Sequence, residues 1–155
     1  MDGVKFQNSC HLGCTGEASG PLFAEAKGVL KLAVALVVED EWLVRMEIAD
    51  VLDAHGWTVL EASTAEAALA MRDHNPPVDL VVTDIRLPGP LTGWDVADAF
   101  RAANADVGVI YCSGNPCEVE RQVPDSVFLS KPCRMDYLIE ASTRLCLPAN
   151  EKRAD

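Results

Sequence analysis

The sequence predicts a doubly wound α/β fold, in which helices cover both faces of a parallel sheet. Short apolar runs rich in β-branched residues alternate with helix-like segments, a pattern typical of parallel strands joined by crossover helices. Four of these runs end directly at polar or charged residues: 34–38, 80–83, 109–112 and 127–130. Because parallel strands point their carboxyl ends at one edge of the sheet, the residues that follow them are expected to meet there.

Hydrophobic spacing predicts the first half of the chain in order. A strand at 34–38 precedes a helix whose apolar residues recur at helical spacing and which ends near Gly56. A short strand follows at 58–62. Ser63 and Glu66 form a predicted capping box that begins the second helix, and this helix ends before the prolines at 76–77.

The second half of the chain continues the alternation. The strand at 78–83 is the most apolar and is predicted to lie at the centre of the sheet. A third helix carries Val96 and Phe100 on one face, and two further strands are predicted near 107–112 and 127–130. The crossover between these last two strands has room for barely a turn or two of helix. The final helix is predicted over about 134–147.

The predicted organisation is a single folded domain at 31–147 between two short flanks. Residues 1–30 show no sustained hydrophobic periodicity and are predicted to be a flexible N-terminal extension. Residues 148–155 are predicted to be a C-terminal tail. We expect no separate output domain within the chain, so that it either stands alone or is a piece of a larger protein.

The charge balance argues against nucleic acid and membrane partners. Lys and Arg number 13 and Asp and Glu 24, giving a net charge of −11, which repels polyanions and anionic lipid. The longest apolar stretch, 29–38, is too short to span a bilayer. Six cysteines show no disulfide framework, so we expect buried free thiols and a cytoplasmic location.

Three carboxylates predicted at the sheet edge suggest a cation site and a nucleophile. Asp84 follows the central strand, and a carboxylate there can attack a phosphoryl group to form an acyl phosphate. Glu39 and Asp40 follow the first strand. Clustered carboxylates repel one another unless they share a cation, and Mg²⁺ prefers oxygen ligands together with a phosphoryl oxygen. A solvated acidic edge is the alternative.

Two further residues at this edge suit a phosphoryl group. Lys131, which precedes Pro132, offers a compact positive charge, and Ser113 offers a hydroxyl donor beside Gly114. Each has a plain alternative, since lysines are usually solvated and Ser-Gly is a common turn. The prediction of a phosphoryl site therefore depends on finding Lys131 and Ser113 together with the three carboxylates.

These motifs resemble the receiver domain of two-component response regulators, including single-domain receivers of the chemotaxis type. The matching segments are 37–41 (VVEDE), 82–89 (VTDIRLPG), Ser113-Gly114 and Lys131-Pro132. The resemblance covers 31–147 and implies a flavodoxin-like fold with five parallel strands in the order 2-1-3-4-5. It also implies a phosphoprotein that acts as a signalling switch, with no enzyme activity beyond its own phosphorylation and dephosphorylation.

The resemblance assigns a role to each site residue. Asp84 would accept a phosphoryl group from the phosphohistidine of a histidine kinase or phosphotransfer protein, while Ser113 and Lys131 would hold phosphoryl oxygens. Phe128 would be the aromatic switch residue that signals to a downstream protein. The implied Mg²⁺ ligands are Asp40, Asp84, Glu39 through water, and the backbone carbonyl of Arg86.

Two other functions remain as alternatives. A degenerate receiver would act through protein contacts without phosphorylation, although every site position carries a chemically competent residue. An aspartate-nucleophile phosphatase normally needs a second acid two residues after the nucleophile, where this chain has Arg86. Turnover of a phosphomonoester would distinguish the phosphatase from both receiver functions.

Overall fold

The computed structural model describes residues 33–74, 76–114 and 119–146, which form one parallel sheet flanked by helices. The strands are β1 (Val34–Val38), β2 (Thr58–Ala62), β3 (Leu80–Thr83), β4 (Gly108–Ser113) and β5 (Val127–Ser130). The helices are α1 (Trp42–Ala54), α2 (Ala65–Ala70), α3 (Gly93–Ala103) and α4 (Met135–Cys146). All five strands are parallel in the order β2-β1-β3-β4-β5, so the predicted flavodoxin-like topology is confirmed.

Helices cover both faces of the sheet because side chains alternate along each strand. On β1, Val34, Leu36 and Val38 face α2 and α3, whereas Ala35 and Val37 face α1 and α4. Every residue of β1, β3 and β4 is buried. Among the described residues, none of the helices combines the length and apolarity that a bilayer crossing requires.

Helix boundaries follow local capping chemistry. Gly56 adopts a φ of +85° just beyond α1, as its predicted role requires. The predicted cap at Ser63 is wrong, because Thr64 has the extended backbone of a cap and its hydroxyl accepts the Ala67 N–H at 3.1 Å. α2 is short and ends at Ala70, well before the prolines.

The crossover from β4 to β5 contains little regular structure. Its described residues include a single 3-10 turn, Val119–Arg121, in agreement with the predicted turn or two of helix. The Val123 N–H donates to the hydroxyl of Tyr111 at 3.3 Å, and Arg101 donates to the Pro124 carbonyl at 2.8 Å. These bonds anchor the end of the crossover to β4 and α3.

The prediction of free thiols is wrong for one pair of cysteines. Cys112 and Cys133 form a disulfide, with their Cα atoms 6.4 Å apart. The pairing of β4 with β5 places Cys112 opposite Leu129. Cys133 lies four residues after Leu129, and its sulfur reaches back to Cys112. The thiol of Cys146, the last residue of α4, donates to the main-chain carbonyl of Asp79 at 3.6 Å. The other three cysteines lie outside the described residues: Cys10, Cys14 and Cys117.

Gly93 allows α3 to begin against the end of β3. A Cβ atom at this position would lie 2.0 Å from the carbonyl oxygen of Asp84. Gly93→Ala should therefore lower the free energy of unfolding by about 2–3 kcal/mol despite alanine's better helix propensity. Gly114→Ala is the matched control, since a Cβ there meets nothing within 4 Å. Urea unfolding of both variants tests the contact, and equal stabilities would contradict it.

Candidate functional site

One ammonium group joins two carboxylates from different strands at the carboxyl edge of the sheet. Nζ of Lys131, just after β5, lies 2.7 Å from Oδ2 of Asp84 and 2.8 Å from Oε2 of Glu39. Glu39 directly follows β1, and Asp84 directly follows β3. The predicted meeting of these three residues is therefore observed, and it depends on the parallel pairing of the strands.

The carboxylate of Asp84 is held by its own chain as well as by Lys131. Its Oδ1 accepts the backbone N–H of Ile85 at 2.5 Å and that of Arg86 at 3.2 Å. The hydroxyl of Thr83 donates to the Asp84 main-chain carbonyl at 2.7 Å. Asp84 is 8% exposed, so the carboxylate is oriented and still reachable from solvent.

Glu39 is the most deeply buried acid of the site, with 1% of its surface exposed. Burial raises the pKa of its carboxyl, and the ion pair with Lys131 only partly opposes this rise. The buried Oε2 of Glu39 has the ammonium group of Lys131 as its partner at 2.8 Å. Arg45 supports the same residue by donating to its main-chain carbonyl at 2.6 Å.

Lys131 stays protonated across ordinary pH. Burial alone would lower the pKa of its amine, but hydrogen bonding and charge attraction from Asp84 and Glu39 outweigh burial and raise it. The Lys131–Pro132 peptide bond is cis. The backbone N–H of Lys131 donates to the Ser113 carbonyl at 3.0 Å, which ties the lysine to the end of β4.

Ser113 and Phe128 occupy the predicted strand positions. Ser113 is the last residue of β4, is buried, and precedes the exposed Gly114. Phe128 is half-buried against the α2/α3 side of the sheet and pairs with Tyr111 across β4 and β5. Their roles in holding and reporting a phosphoryl group stay predictions.

The three predicted carboxylates form a group that suits a divalent cation. Glu39, Asp40 and Asp84 each offer an oxygen, and these oxygens lie within 4.8 Å of one another. Two of the three residues are buried, whereas Asp40 is exposed. A hard cation fits because it prefers carboxylate oxygens and because two of these three carboxylates share a single lysine amine. The carbonyl of Arg86 as a further ligand stays a prediction.

The model of a protein family described as the response regulator receiver domain matches residues 35–143. The chain belongs to this family. The matched range begins within β1, includes β2 to β5 and contains the three carboxylates, Ser113 and Lys131.

Solved structures of other receivers share the fold. A response regulator receiver protein from Sinorhizobium medicae superposes with a TM-score of 0.72 at 31% identity, covering 76% of this chain and 97% of that one. The receiver domain of the hybrid histidine kinase CckA gives a TM-score of 0.64 at 30% identity, covering 74% of this chain and 100% of that one.

Curated relatives include both regulators and kinases. The transcriptional regulatory protein FixJ of Azorhizobium caulinodans is 32% identical over 72% of this chain and 53% of its own length. The sensor kinase CckA of Brucella abortus is 33% identical over 76% of this chain and 14% of its own length. The chain thus spans about half or less of the length of these relatives.

Sequence analysis missed two residues that shape this receiver site. Arg45 also forms an ion pair with Glu61 at 3.2 Å, so it connects the end of β1 to β2. Its only signal is a position in the first turn of the helix that follows the acidic pair. Gly93 permits the close approach of α3 to Asp84, and only tertiary structure reveals that approach.

The raised pKa of Glu39 predicts a pH-dependent cost to folding. A carboxyl whose pKa is higher in the folded than in the unfolded state binds more protons when folded, so stability falls as pH rises from the unfolded value of 4.5 through the folded value. Glu39→Gln should remove that fall and raise the melting temperature at neutral pH by about 2–4 °C.

Thermal unfolding between acid and neutral pH in a chelating buffer provides the measurement. Glu140→Gln, which removes an exposed acid on α4, is the control and should retain the wild-type pH profile. A wild-type profile in Glu39→Gln as well would contradict the electrostatic cost.

Proposed function

We propose that this receiver is a phosphorylation-driven signalling switch with Asp84 as its phosphoacceptor. The observation that carries the proposal is the pair of Lys131 contacts, 2.7 Å to Asp84 and 2.8 Å to Glu39, at the same sheet edge as Ser113. A solvated acidic edge would not bring a partly buried amine to the carboxylate that follows the central strand β3.

Phosphoryl transfer would proceed by attack of an Asp84 carboxylate oxygen on phosphorus. The phosphorus–nitrogen bond of a donor phosphohistidine breaks, and its electron pair returns to the imidazole. The N–H groups of Ile85 and Arg86 hold the attacking carboxylate in one orientation. Lys131, already charged, can exchange a carboxylate oxygen for a phosphoryl oxygen, and the Ser113 hydroxyl can donate to a second one.

The carboxylate group is the proposed Mg²⁺ site of the switch. Asp40 and Asp84 would bind the ion directly, the backbone carbonyl of Arg86 would complete the protein ligands, and Glu39 would act through water. Bound Mg²⁺ supplies positive charge that offsets repulsion between the acids and the incoming phosphoryl oxygens. The positive charge of Lys131, 2.7 Å from Asp84, would offset the same repulsion.

A dianionic phosphoryl group on Asp84 would change the electrostatic interactions around Ser113 and, through them, the position of Phe128. Lys131 would be shared between the phosphoryl group and Glu39, and Ser113 would be drawn toward the phosphoryl oxygens. A population shift from 1:99 to 99:1 needs about 5.5 kcal/mol, which two or three charge-assisted hydrogen bonds can supply. Phe128 is the residue proposed to report this shift.

The proposed phosphodonor is a histidine kinase or phosphotransfer protein, and the proposed output is contact with a downstream protein. Apolar side chains of α1 support donor docking, since Trp42, Leu43 and Met46 are 61%, 59% and 41% exposed and begin two residues after Asp40. The relatives include a sensor kinase and a virulence sensor protein. The acidic charge argues against nucleic acid and anionic membranes, and a cytoplasmic site is part of the proposal.

The proposed domain limits follow the sequence prediction. The receiver would occupy 31–147, between an extension at 1–30 and a tail at 148–155. The family match and all described elements fall inside the first of these ranges.

Chemical phosphorylation tests the acceptor. Incubation with acetyl phosphate and Mg²⁺ should add one acid-labile phosphoryl group, detected by intact mass, and Asp84→Asn should abolish it. Asp98→Asn, an exposed acid on α3, is the control and should be labelled as the wild type is. Persistent labelling of Asp84→Asn would mean another acceptor, and an unlabelled wild type would favour the degenerate receiver.

Metal binding is tested by thermal unfolding with and without Mg²⁺. A ligand that binds only the folded state stabilises it by about 2.7 kcal/mol at 100 times its Kd. The wild-type melting temperature should therefore rise with Mg²⁺, and Asp40→Asn should lose most of the rise. Asp50→Asn, an exposed acid on α1, is the matched control. An equal Mg²⁺ response in both variants would contradict the assigned site.

A further inference from the structure

A disulfide lies directly beside two residues of the phosphorylation site. Cys112 is the penultimate residue of β4, immediately before Ser113, and Cys133 lies two residues after Lys131. Their sulfur atoms are bonded, and the Cα separation of 6.4 Å lies within the usual range for a disulfide. Cys112 is 1% exposed on the α1/α4 side of the sheet, whereas Cys133 is partly exposed.

The bond closes a loop that contains the proposed switch. Its two ends are 21 residues apart, and Ser113, Phe128 and Lys131 all lie between them. The backbone bond from Lys131 to Ser113 at 3.0 Å already joins the same two chain segments. The disulfide adds a covalent link next to that bond, so it limits how far the backbones of Ser113 and Lys131 can move apart while it is intact.

We propose that Cys112 and Cys133 form a reversible redox pair whose disulfide restrains Ser113 and Lys131 and slows phosphorylation of Asp84. This inference rests on the proposed function of Asp84. In a reducing compartment a disulfide is normally transient and regulatory, so the thiol form is the responsive receiver. Oxidation then slows phosphorylation of Asp84 without replacing any residue that contacts the phosphoryl group.

Thiol–disulfide exchange accounts for the chemistry, with a low-molecular-weight disulfide such as oxidised glutathione as oxidant. The partly exposed Cys133 thiolate attacks one sulfur of the oxidant, forming a mixed disulfide and releasing one thiol. The Cys112 thiolate then attacks Cys133 sulfur and releases the second thiol. Two protein thiols are oxidised and one small disulfide is reduced to two thiols, with two protons passing to those products.

The test uses the full chain with Cys10, Cys14, Cys117 and Cys146 replaced by Ser, which leaves only the proposed pair. Oxidised glutathione should remove two hydrogens from its intact mass, and a dithiol reductant should restore them. The initial rate of labelling by acetyl phosphate and Mg²⁺ should fall at least about fivefold on oxidation, the lower end of usual coupling factors. Cys133→Ser in the same background is the control and should label at one rate in both conditions.

The outcomes separate this inference from the proposed function. Failure of the pair to oxidise, or equal labelling of the oxidised and reduced forms, overturns the redox inference and leaves Asp84 as acceptor. Absence of label in both forms overturns the proposed function and the inference with it. A slow rate that the reductant does not reverse also contradicts a reversible switch.

Discussion

The functional edge of this protein depends on one electrostatic balance between a lysine and two acids. Lys131 offers a single positive charge to Asp84 and Glu39, which come from different strands and would repel each other without it. The sheet brings the three together, since Glu39 follows β1, Asp84 follows β3 and Lys131 follows β5. Lys131 does not fully compensate the buried negative charge, because burial still raises the pKa of Glu39. A site with one cation and an excess of acids favours any additional positive charge.

Much of the architecture could be predicted because it follows from local patterns. Buried parallel strands are continuous apolar runs, and the polar residue after each run marks the strand end. Where two adjacent residues could each play the same structural role, the sequence did not show which of them does. Ser63 and Thr64 both carry a capping hydroxyl, and only the backbone geometry selects Thr64. The Cys112–Cys133 disulfide was missed for a related reason, since the register of β4 and β5 has no signature in cysteine spacing.

The site residues were predictable individually, whereas their environments were not. Glu39 and Asp40 are adjacent in sequence, yet one is buried and the other exposed, because neighbouring residues at a strand end point in different directions. Arg45 and Gly93 act through distances set by how α1 and α3 approach the sheet. Sequence patterns predict which residues reach the edge, and packing decides what each of them contacts.

The sheet is fully buried in its central strands and only partly buried in its edge strands, β2 and β5, of which β5 follows the sparse crossover. The residues of β5 are partly buried or exposed, whereas those of β1, β3 and β4 are fully buried. Local opening costs least where few apolar contacts protect the backbone. We therefore expect the β5 edge, which carries Phe128 and leads to Lys131, to open at a lower cost than the central strands β1 and β3, which precede the acids. Lys131 thus connects an edge strand of the sheet to the two acids that follow its central strands.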